Sequence, residues 1–259
     1  MMYLSYLLID VGDNPDRPRP GRLWLRNLYH VHQRLCMAFP SESRKSDDEH
    51  FLKPFKPEDF GSNHVHVSRG TDAGFLFRID PQSGDRVVIL VQSAVKPDWN
   101  YAFKNADHLL AAPSEIKQFE PCFAKEQHLR FRLAVNPTRR LSKNSREKNG
   151  QTVAKKWVGK RVPVPADHLY EWLACRAENA GFSIDKDSTV IQPGYIYVNK
   201  TRDDNGQRLR SVRYDGILTI TDPARFQETI IRGIGPGKAF GFGLLSVAPI
   251  HSTLPEAAT

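Results

Sequence analysis

GFLFRIDPQSGDRVVILVQS, residues 74–93, defines the centre of a predicted sheet. Its two apolar runs, GFLFRI and RVVILVQS, are rich in the branched and aromatic side chains that favour strands. The six residues from Asp80 to Asp85 between them include Asp, Pro, Ser and Gly, which is the composition of a turn. We therefore predict two neighbouring strands joined by this turn.

The segments on either side of this pair complete a βαββαβ unit. Upstream, MYLSYLLI at residues 2–9 predicts a strand, and a helix follows near Arg26–Ala38. Downstream, a short helix is predicted near Trp99–Leu110 and a strand near Lys117–Phe123. Residues 41–72 are polar and irregular, which indicates an insertion.

The second half of the chain repeats the same order of elements. Asp167 is predicted to cap its first helix, which Gly181 ends, and Asp222 and Pro223 are predicted to begin its second helix. Asn205-Gly206 predicts a hairpin between two of its strands. The predicted elements are the strand HLRFRLAVN (128–136), the helix HLYEWLACRAENA (168–180), the strands GYIYVNKT (194–201) and RLRSVRYDGILTIT (208–221), a helix ending at Gly233, and the strand LLSVAPI (244–250).

The predicted fold is therefore α+β, with two tandem ferredoxin-like (RRM-like) βαββαβ domains. We place the first domain at residues 1–125 and the second at 126–250, followed by a tail at 251–259.

Composition narrows the class of protein. The 259 residues are 40% hydrophobic and 25% charged, and no apolar run approaches the roughly 20 residues of a membrane-spanning helix. The first residues lack the basic region of a secretory signal. Cys36, Cys122 and Cys175 stand far apart without paired spacing, which favours a reducing compartment over a disulfide framework. We expect a cytoplasmic protein without a membrane partner.

The net charge of +8 is concentrated in one segment. Between Thr138 and Val162 nine basic residues face a single acid, Glu147, and the rest of the chain is balanced. Such a segment attracts polyanions, of which nucleic acid is the most common, although a solvated loop is the alternative. An anionic membrane is disfavoured, because no amphipathic apolar face accompanies the charge. The basic residues are Arg139, Arg140, Lys143, Arg146, Lys148, Lys155, Lys156, Lys160 and Arg161.

The first predicted helix presents a candidate acid–base pair. At about 100° per residue its core face consists of Leu28, Val31, Leu35 and Ala38, and the adjoining flank consists of Tyr29, His32 and Cys36. Tyr29 and His32 are three residues apart and therefore neighbours, and histidine exchanges protons near neutral pH. The alternative is that both side chains only seal the edge of the core.

A metal site is a further alternative on the same helix. It would combine His30 and His32 with His64 and His66. We disfavour it, because helical side chains two residues apart diverge and no carboxylate cluster accompanies either pair. His30 falls towards solvent on the helical wheel.

Residues 233–243, GIGPGKAFGFG, contain five glycines in eleven residues. They match neither the P-loop nor the dinucleotide-binding pattern. Backbone N–H groups, for which Gly235 and Gly237 are candidates, and the side chain of Lys238 could face phosphates. The alternative is a flexible connection between a helix and the last strand.

The sequence also indicates whether single-stranded or duplex RNA would be contacted. RRM-type readers stack bases on aromatic strand residues, and neither LRFRLAVN nor GILTITDP supplies them. This argues against a general single-strand RNA-binding module. The basic segment and the arginines of the predicted hairpin fit phosphates of an RNA duplex; these arginines are Arg202, Arg208, Arg210 and Arg213.

The chain resembles the CRISPR repeat-RNA endoribonucleases of the Cascade system, the CasE family of type I-E. The opening MYLSYLLI and the helix LRNLYHVHQRLCMAFP carry the resemblance in the first half. The strand LRFRLAVNPT with KRVPV downstream, and the ending YDGILTITDP…GIGPGKAFGFGLLSVAP, carry it in the second. The glycine-rich ending and the Tyr-x-x-His helix are its most specific parts.

The resemblance implies cleavage at the base of a repeat RNA hairpin without a metal or other cofactor. It implies that His32 is the catalytic histidine with Tyr29 beside it, and Lys160 and Arg161 are the best matched basic residues. Members stay bound to the mature guide RNA, contact the backbone subunit of the Cascade complex, and meet target DNA only through that complex. The extra His30 departs from the pattern, and the helical wheel favours His32. A non-catalytic RNA-binding subunit is the alternative function.

We expect chemistry by internal transesterification. The ribose 2′-hydroxyl attacks the adjacent phosphate, and the products carry a 2′,3′-cyclic phosphate and a 5′-hydroxyl. His32 transfers a proton as acid or base, and Tyr29 positions the phosphate or carries the second proton. Lys160, Arg161 or Lys238 offsets charge on the phosphorane.

Overall fold

The computed structural model describes residues 1–12, 19–48, 74–81, 85–143, 152, 154–198 and 206–250. The described residues pack into two compact units. The first unit comprises those of Met1–Pro121, Tyr195–Leu209 and Ile231–Leu244. The second comprises those of Cys122–Gly194, Arg210–Ile230 and Leu245–Thr259.

The first unit is built on a four-stranded antiparallel sheet with the strand order β2-β3-β1-β4. The two strands predicted from residues 74–93 are its β2 and β3, and the opening strand is its β1. The helices pack over a core that contains Leu7, Ile9, Val31, Leu35 and Ile89. The elements are β1 (Met2–Asp10), α1 (Pro20–Leu25), α2 (Leu28–Cys36), α3 (Glu42–Asp47), β2 (Phe75–Pro81), β3 (Arg86–Ser93), α4 (Trp99–Phe103) and β4 (Glu115–Phe119).

Three expectations for the first unit need correction. Helix α4 ends at Phe103, and a separate 3-10 turn at Asp107–Leu109 follows it where a single helix was expected. Strand β4 spans Glu115–Phe119, so it begins two residues and ends four residues earlier than predicted. Helix α3 lies within the stretch expected to be irregular, with the Ser41 side chain accepting from the Arg44 N–H at 3.1 Å. The remainder of the expected insertion, residues 49–72, lies outside the described residues.

The second unit contains a sheet with the order β11-β5-β10-β8, and β9 pairs with β10 beside this path. Alternate residues of β5 are buried, as the sequence pattern predicts. A separate two-stranded ribbon is formed by β6 and β7. The elements of this half of the chain are β5 (His128–Val135), β6 (Thr138–Arg140), β7 (Arg161–Pro163), α5 (Leu169–Asn179), β8 (Phe182–Ile184), β9 (Val190–Val198), β10 (Gln207–Ile220), α6 (Pro223–Arg232) and β11 (Leu245–Pro249).

The second strand of this sheet is not the one predicted. The three-residue strand β8 occupies the position in the sheet order that was expected for GYIYVNKT. Strand β9 contains the first five residues of GYIYVNKT and pairs with β10 as predicted, but outside this order, and Asn205 of the predicted hairpin turn lies outside the described residues. The cap of α5 also differs, because its N-cap residue is His168 and no side chain bonds the first turn. Asp167 lies instead in the 3-10 turn Ala166–His168.

Helix α6 begins as predicted. The Asp222 carboxylate accepts hydrogen bonds from the N–H groups of Ala224 and Arg225 at 3.1 and 3.2 Å, and Pro223 is its first residue. Phe226 and Ile230 are buried along the face predicted to be apolar.

Both sheets share one connectivity. The first and third strands of each βαββαβ unit are central, the second lies beside the third, and the fourth lies beside the first. This is the ferredoxin-like arrangement, so the predicted α+β class is confirmed. The boundary near residue 125 stays a prediction, because the compact units group residues by packing and Tyr195–Leu209 and Ile231–Leu244 pack with the first unit. No described helix is both long and apolar enough to cross a membrane.

Tyr214 in the second unit makes the stability of the folded protein depend on pH in the alkaline range. Its side chain is fully buried, its hydroxyl donates to the Leu169 carbonyl at 2.9 Å, and burial raises its pKa. The folded state therefore keeps the proton that the unfolded chain loses near pH 10. We expect the free energy of unfolding to fall as pH rises above about 10.

Urea unfolding at pH 8 and pH 11 checks this expectation. The variant Tyr214→Phe should lose about 1 kcal/mol at pH 8 with the hydrogen bond, but its stability should decline less between the two pH values. An equal decline in both proteins would show that other groups cause the alkaline loss.

Candidate nucleic-acid interface

Helix α2 carries Tyr29 and His32, and Asn27 determines where it begins. The Asn27 side chain accepts hydrogen bonds from the N–H groups of Tyr29 at 3.1 Å and His30 at 3.4 Å. This cap satisfies two of the free donors at the helix start. Tyr29 therefore occupies the second position of the first turn, and His32 lies one turn further along.

The burial of α2 follows the helical wheel. Val31 and Leu35 are fully buried, Tyr29 and His32 are half-buried, and His30 is exposed. The position of His30 away from the core therefore agrees with the periodicity. Cys36, expected on the same flank as His32, is fully packed into the core.

The imidazole of His32 packs against two aromatic rings of β2. Its centroid lies 5.4 Å from that of Phe75 and 6.3 Å from that of Phe77, with interplanar angles of 28° and 20°. Its Nε2 is 3.6 Å from the Sγ of Cys36, and its Nδ1 is buried. The ring therefore lies flat over the aromatic strand with both nitrogens close to protein atoms.

Arg34 fastens α2 to the neighbouring helix. Its Nη1 donates to the Ala102 carbonyl and to the Asn105 side chain, both at 2.8 Å. Burial lowers the pKa of Arg34. The position of α2 is thus determined by a hydrogen-bonded cation as well as by its apolar face.

The glycine-rich segment packs with the first unit. Gly233 has a φ of +71°, and a Cβ there would lie 2.6 Å from the Gly243 carbonyl oxygen and 2.7 Å from Leu76. At Gly241, also left-handed with a φ of +81°, a Cβ would lie 3.2 Å from the Phe77 ring. A hydrogen bond of 2.9 Å from the Ile234 N–H to the Gly243 carbonyl closes the segment on itself. A side chain at Gly233 or Gly241 would thus crowd neighbouring atoms. The segment therefore has a defined conformation and is more than a flexible connection.

The same segment lies against α2. Its central 3-10 turn, Lys238–Phe240, contacts both α2 and β2. The Phe77 ring lies between the two, because it stacks with His32 and contacts the position of Gly241. Gly235 and Gly237 also have left-handed φ values and are half-buried. Partial burial lowers the pKa of Lys238, and the charge of Arg232 lowers it further.

The basic segment of the second unit forms an exposed ribbon. In the antiparallel pair β6–β7, Arg140 lies directly opposite Arg161, and Arg139 opposite Val162. All three arginines are exposed. Like charges placed opposite each other on a ribbon destabilise it, and a bound polyanion relieves the repulsion. This pairing therefore favours a nucleic-acid surface over an inert solvated loop.

Further basic side chains lie along this ribbon. Lys143, Lys155 and Lys156 are exposed, and the Lys160 ammonium lies 4.5 Å from the ring centroid of Trp157. Within the described part of the chain none of the seven described cations forms an ion pair with a carboxylate. Arg146 and Lys148 lie outside the described residues.

The arginines of the predicted hairpin divide into two kinds. Arg210 donates to the Val164 carbonyl, and Arg213 forms an ion pair with Asp215 at 2.8 Å. These two are engaged within the second unit, whereas Arg208 is exposed. Arg202 lies outside the described residues.

The open positions of β5 include charges where RRM proteins carry aromatics. On β5, Phe131 is buried, and Arg130 and Arg132 alternate with the buried residues. Sequence reasoning missed Tyr195 and Tyr197 on β9, both of which are exposed. The alternation in GYIYVNKT was the available signal, because it places both rings on one face.

The histidine pairs do not assemble a metal site among the described residues. No group of three or more potential His, Cys, Asp or Glu ligands occurs in this part of the chain. His64 and His66 lie outside it.

Comparison with known sequences shows similarity to CRISPR-associated proteins along most of the chain. The model of a family described as CRISPR associated protein matches residues 2–249. The CRISPR-associated endoribonuclease Cse3 of Thermus thermophilus is 35% identical over 198 residues, covering 71% of this chain and 85% of that protein. The CRISPR system Cascade subunit CasE of Escherichia coli (strain K12) is 26% identical over 251 residues, covering 96% of this chain and 100% of that protein.

Solved structures of CRISPR-associated proteins are also similar to this chain. Thermus thermophilus Cse3 bound to an RNA representing a pre-cleavage complex is 29% identical with a TM-score of 0.65, covering 96% of this chain and 99% of that one. Cas6e from Escherichia coli K-12 is 23% identical with a TM-score of 0.54, covering 96% and 100%, and shares the fold.

Proposed function

Because this chain belongs to the CRISPR-associated protein family, we propose that it is an endoribonuclease that cuts CRISPR precursor RNA at the repeat hairpin. It then stays bound to the mature guide RNA as a subunit of the Cascade surveillance complex. It contacts the backbone subunit there, acts in the cytoplasm, and meets target DNA only through the complex. Residues 1–125 form the domain with the catalytic helix, and residues 126–250 form the domain with the basic segment.

One observation carries this proposal beyond family membership. The helix that bears Tyr29 and His32 packs directly against the 3-10 turn that begins at Lys238. Two elements about 200 positions apart in sequence thus contact each other within the first unit, and they carry an imidazole, a phenol and an ammonium group. An imidazole and a phenol can each move a proton during transfer of a phosphoryl group, and a cation can offset the charge that develops.

The reaction that they support is an internal transesterification. The ribose 2′-oxygen bonds to the adjacent phosphorus, and the bond from phosphorus to the 5′-oxygen breaks. One proton leaves the 2′-hydroxyl and one reaches the departing 5′-oxygen, so the products are a 2′,3′-cyclic phosphate and a 5′-hydroxyl. His32 makes one of these transfers, and Tyr29 makes the other or positions the phosphate. Lys238, Lys160 or Arg161 offsets charge on the phosphorane.

His32 must change its contacts to act. Its Nε2 lies against the Cys36 Sγ, and its Nδ1 is buried. Rotation of the side chain away from Phe75 presents Nε2 to the RNA. Catalytic hydrogen bonds that are absent or long in a free enzyme commonly form in the substrate complex.

RNA binding rests on the exposed basic ribbon and on the glycine-rich segment. The candidate phosphate contacts of the ribbon are Arg139, Arg140, Lys143, Lys155, Lys156, Lys160 and Arg161. In the glycine-rich segment they are Lys238 and the backbone at Gly235 and Gly237. These contacts hold the product after cleavage, so each protein molecule releases it slowly.

The reaction needs no metal, because the nucleophile is supplied by the substrate and side chains move both protons. We expect cleavage of a labelled repeat hairpin in EDTA at the rate found without EDTA. The product ends should be a cyclic phosphate and a 5′-hydroxyl, with about one cleavage per protein molecule.

The outcomes of this assay separate the alternatives. Loss of cleavage in EDTA that returns with added Mg²⁺ would contradict the metal-independent mechanism. Tight binding without cleavage under any condition would instead support a non-catalytic RNA-binding subunit, for which the inward-facing nitrogens of His32 are the favouring observation.

A further inference from the structure

Strand β9 presents two tyrosines to solvent from one face. Tyr195 is 55% exposed and Tyr197 is 66% exposed, whereas Val198 beside them is 2% exposed. Alternate residues of a strand point to the same side, so both rings belong to one surface. An aromatic ring stabilises a complex when a bound partner covers it and removes it from water. An exposed pair of rings therefore indicates a surface that binds a ligand.

A cation from the neighbouring strand extends this surface. The guanidinium of Arg208 on β10 lies 4.5 Å from the ring centroid of Tyr195, and Arg208 is itself exposed. Strand β9 contains no acidic residue, and neither does the start of β10 at Gln207–Leu209. We call Tyr195, Tyr197 and Arg208 the tyrosine platform. It combines faces for stacking with a positive charge.

These features fit an unpaired nucleotide better than other occupants. The positive charge of Arg208 and the absence of acidic residues from β9 and from Gln207–Leu209 complement the phosphates of a nucleic acid. A paired stem offers no free base faces, because its bases already stack on each other. The Cα atoms of alternate strand residues are about 6.7 Å apart, roughly twice the stacking distance of about 3.4 Å, so the backbone spacing allows a base between two side chains.

We propose that the tyrosine platform stacks unpaired nucleotides of the bound RNA that lie outside the hairpin stem. This inference rests on the proposed function, since it names a second contact on the same RNA. Stacking is tolerant of base identity, so the platform adds affinity for single-stranded flanks without reading their sequence. Arg208 neutralises an adjacent phosphate.

The test compares two RNAs and two double variants of the full chain. One RNA is a repeat hairpin with four unpaired nucleotides on each side, carrying 2-aminopurine in each flank, and the other is the same stem without flanks. In the variant Tyr195→Ala/Tyr197→Ala we expect about 5- to 150-fold weaker binding of the flanked RNA. The loss should be confined to that RNA, and quenching of 2-aminopurine should disappear.

The control variant Tyr195→Phe/Tyr197→Phe keeps both rings and should bind the flanked RNA as the wild-type protein does. Equal losses with both RNAs, or wild-type binding by the alanine variant, would overturn the platform while hairpin binding by wild type still supports the proposed function. If wild type binds only flanked RNA in a tyrosine-dependent way, the platform stands and hairpin recognition fails. If it binds neither RNA, both proposals fail.

Discussion

The variant His32→Ala is expected to cut a repeat hairpin about 10²–10⁴-fold more slowly than the wild-type protein while binding it nearly as tightly. In the proposed mechanism the imidazole carries one of the two protons of the reaction, and no other described histidine lies on the flank of α2 beside Tyr29. Single-turnover cleavage at saturating protein, with affinity measured separately, checks this result.

His30→Ala is the matched control, because His30 is an exposed histidine on the same helix. It should cleave at the wild-type rate, and a loss in His30→Ala in place of His32→Ala would reverse the assignment. Since His32 also packs on Phe75, the melting temperature of His32→Ala must be shown to exceed the assay temperature. Tyr29→Phe tests the phenol separately by removing only its hydroxyl.

Binding of the repeat RNA should weaken by about 10³–10⁵-fold between 50 and 200 mM salt. Each of the seven described residues of the basic segment would displace counterions from an RNA phosphate when it binds. Added salt opposes this displacement. Removing Arg140 and Arg161 together by alanine substitution should lower the log–log slope by about two. Titrations over this salt range measure both quantities.

Lys125→Ala is the control for this prediction, because Lys125 is exposed but lies outside the basic segment. Its slope should equal that of the wild-type protein. A slope that the double substitution leaves unchanged would show that the ribbon does not touch phosphates and that the charge lies elsewhere along the RNA.

Local patterns predicted most of the fold. Alternation in β5, the Asp222-Pro223 start of α6 and the apolar runs of β2 and β3 are encoded within a few neighbouring residues. Strand β8 was not predicted, because three residues are too few to establish a periodic pattern. The Asp167 cap was wrong since a 3-10 turn, Ala166–His168, precedes the helix and places His168 at the cap.

The candidate site was predictable only in parts. The wheel of α2 placed Tyr29, His32 and His30 correctly relative to the core, because helical periodicity alone determines those positions. That the turn Lys238–Phe240 contacts this helix could not be predicted, since the contact is tertiary and spans about 200 residues. Tyr195 and Tyr197 had a readable alternation, but only the structure shows that their face stays exposed.

The ring of Phe77 is shared by the two halves of the candidate site, since it stacks with His32 and closes against Gly241. A change of size at this one position would displace the imidazole and the glycine-rich turn together. Redesign of either part therefore has to proceed by simultaneous, compensating replacements. Random single changes along β2 would be expected to yield few intermediates that still cleave.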